Sequence, residues 1–119
     1  MSNHVSWMLE LDVNDGRETK MAGLMDEMSA ATKTNEPNTL CYEWNFSPDG
    51  KHCHLWERYA DSDAAMVHIA TFGEKYAGRF MDVFTPTRLT VYGSPSDAVR
   101  NALDGMGAAC MATTKGFSR

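Results

Sequence analysis

The sequence has few cysteines, and their spacing excludes several classes of protein. Three occur among 119 residues, Cys41, Cys53 and Cys110, and no CxxC motif brings two of them together. This argues against a disulfide-stapled secreted domain and against a zinc or thiol-redox motif. We therefore expect reduced, mostly buried thiols in a cytoplasmic protein.

Positive charge and long apolar runs are also scarce. Lys and Arg number 11 against 16 Asp and Glu, giving a formal net charge of −5 and a pI near 5.2. An acidic chain without a basic run is a poor candidate for binding nucleic acid or an anionic membrane. No apolar stretch approaches the ~20 residues that a membrane helix needs. The N-terminal MSNHVSWM lacks the pattern of a signal peptide, so we expect a cytoplasmic location.

Linkers, repeats and low-complexity tracts are absent as well, which predicts one domain over residues 1–119. The first half of that domain opens with alternating apolar residues over 5–13, typical of a strand with one apolar face. Apolar residues at helical spacing then predict a helix over roughly 16–34, with Asp15 and Glu18 as a capping box. Glu36-Pro37-Asn38 ends that helix.

Two strands, 39–47 and 52–60, are predicted to form a hairpin around Asp49-Gly50. The turn sets a register in which Tyr42 pairs with Glu57, Trp44 with Leu55 and Leu40 with Tyr59. One face of the hairpin then carries six inward side chains: Leu40, Tyr42, Trp44, Leu55, Glu57 and Tyr59. Cys41 and Cys53 lie on opposite faces, so no disulfide is expected between them.

The second half predicts a helix capped by Asp61 or Ser62, with an apolar stripe that includes His68. Gly73 interrupts the helix, and further helical turns run to a stop at Thr85-Pro86. A strand over 87–92 follows. Ser94-Pro95-Ser96-Asp97 predicts a short helix to Leu103 with Pro95 at its first position, and residues 108–113 predict an edge strand.

The predicted order, β-α-β-β-α-β followed by a C-terminal helix and strand, is that of a ferredoxin-like α+β fold with an antiparallel sheet. Helices would cover one sheet face and leave Met8, Cys41 and Trp56 on the other. An open face with a tryptophan needs cover, and a second copy of the chain supplies it most simply. We therefore expect a homodimer formed through this face, with Glu43 and Arg58 within reach of each other.

The chain resembles the antibiotic biosynthesis monooxygenase family of the dimeric α+β barrel superfamily over roughly residues 4–92. The resemblance depends on these residues: Leu40-Cys41-Tyr42-Glu43, Leu55-Trp56-Glu57-Arg58-Tyr59, Ala64-Ala65, His68 and Phe80. It implies oxygenation of quinol-like aromatics without a cofactor. Many members have tryptophan where Tyr59 stands, and the superfamily also contains haem degraders, isomerases and proteins of no known activity.

His68, Glu57 and Tyr59 are the candidate catalytic residues. The helical stripe turns His68 toward the sheet face that carries Glu57 and Tyr59, where an inward carboxylate needs a partner. A histidine or a carboxylate there suits removal of a phenolic proton, although a satisfied core histidine is an equally good interpretation. Aromatic residues that suit a slot for a small aromatic ligand are Trp7, Tyr42, Trp44, Phe72, Tyr76 and Phe80.

Metal and haem interpretations are weaker. His52 and His54 share one strand face, but only Glu43 offers a third ligand, so we expect no metal. Haem would need His68 as an axial ligand, with nothing else to mark a haem pocket. The sequence therefore predicts a cofactor-independent monooxygenase acting on a small hydroxylated aromatic. A non-catalytic binding protein for such ligands and a haem-handling protein are the alternatives.

Overall fold

The computed structural model describes residues 3–119. Met1 and Ser2, which the predicted domain includes, lie outside the described residues. The first half contains strand β1 (Val5–Val13), helix α1 (Glu18–Asn35), strand β2 (Thr39–Phe46) and strand β3 (His52–Tyr59). The second half contains helix α2 (Ser62–Thr71), a π-helical segment (Phe72–Tyr76), helix α3 (Ala77–Val83), strand β4 (Phe84–Gly93), helix α4 (Asp97–Asp104) and strand β5 (Ala109–Met111).

The strands form one sheet in the order β2-β3-β1-β4-β5. β1 lies at its centre, antiparallel to both β3 and β4, while β5 runs parallel to β4. The predicted βαββαβ order with an antiparallel four-stranded sheet, extended by a helix and a strand, is confirmed. No helix of the described residues is long and apolar enough to cross a membrane.

The core lies between the helices and one face of the sheet. Alternate β1 residues Val5, Trp7, Leu9 and Leu11 are buried, as their period of two predicts. Leu24 and Met28 of α1 are buried as well, so the predicted helical stripe does face the core. The sheet and helices thus supply the apolar walls between which any internal site must lie.

The hairpin register is confirmed at its centre and wrong at its end. Tyr42 pairs with Glu57 and Trp44 with Leu55, but Thr39 takes the place opposite Tyr59 that Leu40 was predicted to take. A bulge between Thr39 and Cys41 causes the shift and leaves Leu40 49% exposed. A period-of-two pattern cannot anticipate this, because a bulge inserts one residue that breaks the alternation.

Two predicted helix starts are also wrong. Helix α1 begins at Glu18 after Arg17, without the Asp15 cap, because Gly16 turns the chain there with a φ of 75°. Helix α4 begins at Asp97, and the Ser96 hydroxyl accepts the cap hydrogen bond from the Val99 N–H. Pro95 therefore precedes the helix. For α2, the structure selects Asp61 from the two predicted caps, and its carboxylate accepts from the Ala64 N–H at 2.9 Å.

The region from Gly73 to Pro86 differs from its prediction in two ways. The helix does not break at Gly73 but widens into the π-helical segment and continues as α3. Strand β4 then starts at Phe84, three residues early, and includes Pro86 beside a bulge opposite β1. Pro86 is tolerated because it stands where the bulge disrupts the ladder with β1, and because β5 pairs with β4 only from Thr90 onward.

The outer sheet face carries polar pairs and exposed apolar groups. Arg58 donates to His4 Nδ1 and to the Ser118 hydroxyl rather than to Glu43, whose carboxylate accepts from the Cys41 thiol. Trp56 packs near Tyr92 with ring centroids 6.1 Å apart. The cysteines are free, but only Cys53 is buried, and Cys110 is exposed because β5 is a short edge strand. The expectation of mostly buried thiols is therefore wrong.

Candidate functional site

A mainly apolar cavity of about 90 Å³ lies between the sheet and the helices. Its lining comes from β1, β2, β3 and β4 on one side and from α1, α2, the π-helical segment, α3 and the α4 region on the other. The lining residues are Trp7, Leu9, Met28, Tyr42, Leu55, Glu57, His68, Ile69, Phe72, Phe80, Leu89, Ala102, Leu103 and Met106. Glu57 and His68 are the ionisable groups of this wall apart from the Tyr42 phenol, so any acid–base chemistry in the cavity centres on them.

His68 lies between two carboxylates. Its Nδ1 is 2.9 Å from Glu36 Oε1 and its Nε2 is 3.1 Å from Glu57 Oε1. All three side chains are at least nine-tenths buried. A buried ion pair forms only when its members are closely matched and hydrogen-bonded, so this contact fixes the position of each group tightly.

Each carboxylate also accepts from a second donor. The Tyr59 hydroxyl donates to Glu57 Oε1 at 2.5 Å, and the Thr39 hydroxyl donates to Glu36 Oε1 at 3.0 Å. The result is a continuous chain of contacts, Thr39–Glu36–His68–Glu57–Tyr59, which we call the carboxylate–histidine chain. It runs from the groove at the C-terminus of α1, which Glu36 lines, to the cavity, which Glu57 lines.

The local structure explains how these groups meet. Glu57 faces inward on β3, directly opposite Tyr42 on β2. His68 lies on the buried stripe of α2 with Ala65, and Glu36 is the residue at which α1 ends. The two halves of the fold therefore each supply part of the carboxylate–histidine chain.

His68 is positively charged at neutral pH. Burial of the ring lowers its pKa, but hydrogen bonds and charge from Glu36 and Glu57 outweigh that effect and raise the pKa from 6.5 to about 9. Both ring nitrogens then carry a proton and donate to a carboxylate. In this state His68 is a cation that holds Glu57, and it has no lone pair with which to accept a proton.

Tyr59 and Tyr42 remain neutral phenols. Burial raises the pKa of Tyr59 well above its usual value, and the charge on Glu57 raises it further. Burial likewise raises the pKa of Tyr42, with Glu57 and Glu36 adding to the rise. The two differ in partners: Tyr59 donates to Glu57, whereas the buried Tyr42 hydroxyl has no hydrogen-bond partner among the described residues.

The residues predicted from sequence divide into those on the cavity wall and those behind it. On the wall lie Trp7, Tyr42, Glu57, His68, Phe72 and Phe80. Tyr59 is fully buried behind it, with its ring 4.7 Å from that of Trp7. Trp44 packs against Phe84 instead and donates to the Ser29 hydroxyl at 2.9 Å. Tyr76 is buried away from the lining, beneath Arg79.

Sequence reasoning missed Glu36 and the contribution of α4. Glu36 was interpreted only as part of a helix stop, although a carboxylate at the negative end of a helix is unfavourable unless something compensates it. Ala102, Leu103 and Met106 close one side of the cavity. Their signal was the i, i+3, i+4, i+7 spacing of Val99, Ala102, Leu103 and Met106, which predicts that this helix packs on the core.

The site does not fit a haem. Both His68 nitrogens contact carboxylates, so neither is directed at an axial position, and a cavity of about 90 Å³ is far smaller than the macrocycle. The two strand histidines also have other partners, His52 with Asp12 at 2.7 Å and His54 near Glu10 at 3.6 Å. Among the described residues, no group of three or more His, Cys, Asp or Glu side chains is arranged so that it could hold a metal ion.

The fold is that of the antibiotic biosynthesis monooxygenase-like proteins, as the sequence resemblance predicted. MupZ from Pseudomonas fluorescens superposes with a TM-score of 0.86 at 20% identity, over 99% of this chain and 96% of its own. A putative antibiotic biosynthesis monooxygenase from Bacteroides thetaiotaomicron gives 0.64 at 22% identity, over 75% and 85%. SnoaB from Streptomyces nogalater, described as a cofactor-independent oxygenase, gives 0.65 at 12% identity, over 80% and 96%.

These likenesses establish the fold, and the reaction must be argued from the site. No protein-family model matches the sequence, and no curated protein does so either. The likeness to MupZ extends over nearly the whole chain and so includes α4, the helix that closes the cavity.

Proposed function

We propose that this protein is a cofactor-independent monooxygenase that acts on a small hydroxylated aromatic or quinol-like substrate. The observation that carries the proposal is Glu57, a carboxylate on the wall of a largely apolar cavity. A cation and a phenol hold it in place at 3.1 and 2.5 Å. A fixed carboxylate in an apolar site is suited to removing a proton from a bound ligand.

In the proposed reaction Glu57 accepts the phenolic proton. His68 acts as its charge partner, because the imidazolium offsets the negative charge that the substrate anion brings into the cavity. Tyr59 fixes the Glu57 carboxylate through its hydrogen bond and so keeps it directed at the ligand. The aromatic walls formed by Trp7, Phe72 and Phe80 hold the ring and exclude water from the anion.

The oxygen chemistry that follows needs no external reductant. The electron-rich anion reduces dioxygen and forms a carbon–oxygen bond at an unsubstituted ring carbon ortho or para to the hydroxyl, and the peroxide anion so formed takes back the proton that Glu57 accepted. The resulting hydroperoxide then loses water to give the quinone. One oxygen atom of dioxygen enters the product and the other leaves as water, and the substrate supplies all of the electrons.

Oxygen uptake with a panel of phenols and quinols in metal-free buffer tests this proposal. We expect uptake matched by quinone formation, and a loss of at least about a hundredfold in Glu57→Gln, because general-base catalysis contributes that much. Glu18→Gln is the matched control, an exposed carboxylate at the start of α1. Turnover without oxygen consumption would contradict the oxygenase assignment, and tight binding without turnover would identify a binding protein instead.

We also propose that the protein is a homodimer formed through the outer sheet face, in a reducing compartment such as the cytoplasm. The dimer is supported by the apolar groups that this face leaves accessible: Tyr92 is 37% exposed and Met111 56%. The compartment is supported by the three free thiols. Light scattering of the purified protein tests the first of these, and localisation of a tagged chain tests the second.

A further inference from the structure

The hydroxyl of Tyr42 is a buried hydrogen-bond donor without a partner. Among the described residues it is the only buried side-chain nitrogen or oxygen in that condition. Its ring packs near those of Trp44 and His68, with centroids 5.7 and 5.3 Å away, so two neighbouring rings restrict its position. Buried polar groups in native proteins are almost always paired, which makes this exception informative.

Tyr42 also lies beside the proposed base. It is the cross-strand partner of Glu57, and both residues line the cavity. No hydrogen bond joins its hydroxyl to Glu57, and the phenol that donates to that carboxylate is Tyr59. The other walls near it are apolar, Leu55, Ile69 and Phe72 among them, and offer no acceptor side chain.

Tyr42 acts as a donor and not as an anion. Burial and the negative charges of Glu57 and Glu36 raise its pKa, so the phenol keeps its proton at neutral pH. The cavity therefore presents two complementary groups on adjacent strands: an acceptor, the Glu57 carboxylate, and a donor, the Tyr42 hydroxyl. A ligand that matches both carries one hydroxyl and one acceptor oxygen.

We propose that Tyr42 is a specificity-determining residue that donates a hydrogen bond to a carbonyl oxygen of the ligand, so that the site selects hydroxyaryl carbonyl compounds over simple phenols. This inference rests on the proposed function, which places the ligand hydroxyl against Glu57. The carbonyl would supply the acceptor that Tyr42 lacks. It would also make the ring hydroxyl more acidic and so ease transfer of its proton to Glu57.

A matched pair of ligands and a one-atom substitution test the proposal by binding alone. meta-Hydroxyacetophenone and meta-isopropenylphenol have nearly the same shape and differ in a carbonyl oxygen replaced by a methylene group; their affinities are measured by calorimetry for the wild type and for Tyr42→Phe. We expect the wild type to prefer the ketone by about tenfold, the value of one well-formed hydrogen bond, and Tyr42→Phe to bind the two ligands about equally. Tyr76→Phe, which removes a hydroxyl away from the cavity lining, is the control and should keep the wild-type preference.

The melting temperature is a second readout. A structural role for the Tyr42 hydroxyl predicts that Tyr42→Phe melts at a lower temperature than the wild type, and the proposal predicts that it does not. Because the hydroxyl is unpaired, Tyr42→Phe should melt at the same temperature as the wild type or higher. A lower melting temperature, failure of the variant to fold, an unchanged preference for the ketone, or no binding of either ligand by the wild type would each overturn the proposal. Ketone-selective binding without oxygen uptake would uphold this inference while refuting the proposed oxygenase activity.

Discussion

Replacing Glu36 with glutamine removes one of the two charges that hold His68, and the resulting loss of stability should depend on pH. The amide oxygen of glutamine can still accept from His68 Nδ1, so the change removes charge with little change of shape. The pKa of His68 rises from 6.5 to about 9 in the folded protein. At roughly 1.4 kcal/mol per pKa unit, this corresponds to about 3 kcal/mol of stabilisation.

The direction of the pH dependence follows from the sign of that shift. A raised histidine pKa stabilises the folded protein fully below its unfolded value, and the stabilisation is lost as the pH rises through about 9. Glu36 and Glu57 hold the ring at similar distances, 2.9 and 3.1 Å, so each accounts for about half of the effect. Glu36→Gln should therefore cost about 1–2 kcal/mol near pH 6 and close to nothing near pH 10.

Urea denaturation at a series of pH values measures this difference, and a histidine NMR titration measures the pKa of His68 directly. Glu27→Gln is the control on the same helix, since Glu27 forms an exposed pair with Arg79. A stability difference between Glu36→Gln and the wild type that stays constant with pH would refute the reasoning. So would a wild-type His68 that titrates at the ordinary value of about 6.5.

Two further predictions concern the cavity and the outer face. Met106→Ala should enlarge the cavity and raise the affinity for naphthols relative to phenols, at a stability cost of about 1 kcal/mol or less because Met106 is 37% exposed; an unchanged ratio of affinities, measured by calorimetry, would show that the α4 region does not limit ligand size. Trp56→Glu should shift the protein from dimer to monomer in light scattering, because it removes an apolar anchor and adds a charge close to Glu43. A wild-type protein that already scatters as a 13.2 kDa monomer would contradict the dimer itself.

The fold was predictable where local pattern decides it. Asp49-Gly50 and the alternating residues on either side of it gave the pairing of Tyr42 with Glu57, and the stripe on α2 placed His68 against the sheet. Prediction failed where tertiary contacts override the pattern. The bulge before Cys41 and the early start of β4 at Phe84 depend on how neighbouring strands pair, which no single-strand periodicity contains.

The candidate site was predictable only in part for a similar reason. Glu57 and His68 each show an anomaly in their own segment, an ionisable side chain on an apolar face. Glu36 lies at a helix end, where polar residues are common, and it meets His68 across 32 residues of chain. The contact between Glu36 and His68 is therefore apparent only once α1 and α2 are packed together. The same holds for the contacts of the α4 residues that close the cavity.

The π-helical segment between α2 and α3 has a consequence for how this protein can tolerate changes in length. An α-helix advances about 100° per residue, so the twelve steps from His68 to Phe80 would leave the two side chains about 120° apart around the axis. The π-helical segment Phe72–Tyr76 turns through fewer degrees per residue and so reduces that angle. Both side chains therefore line the same cavity. Deleting Gly73 to restore a regular helix would leave eleven steps and only about 20° between the two side chains, so Phe80 would still face the cavity. Loss of one residue in this segment is thus compatible with the site, whereas one additional residue would rotate Phe80 by about a further 100° and turn it from the cavity.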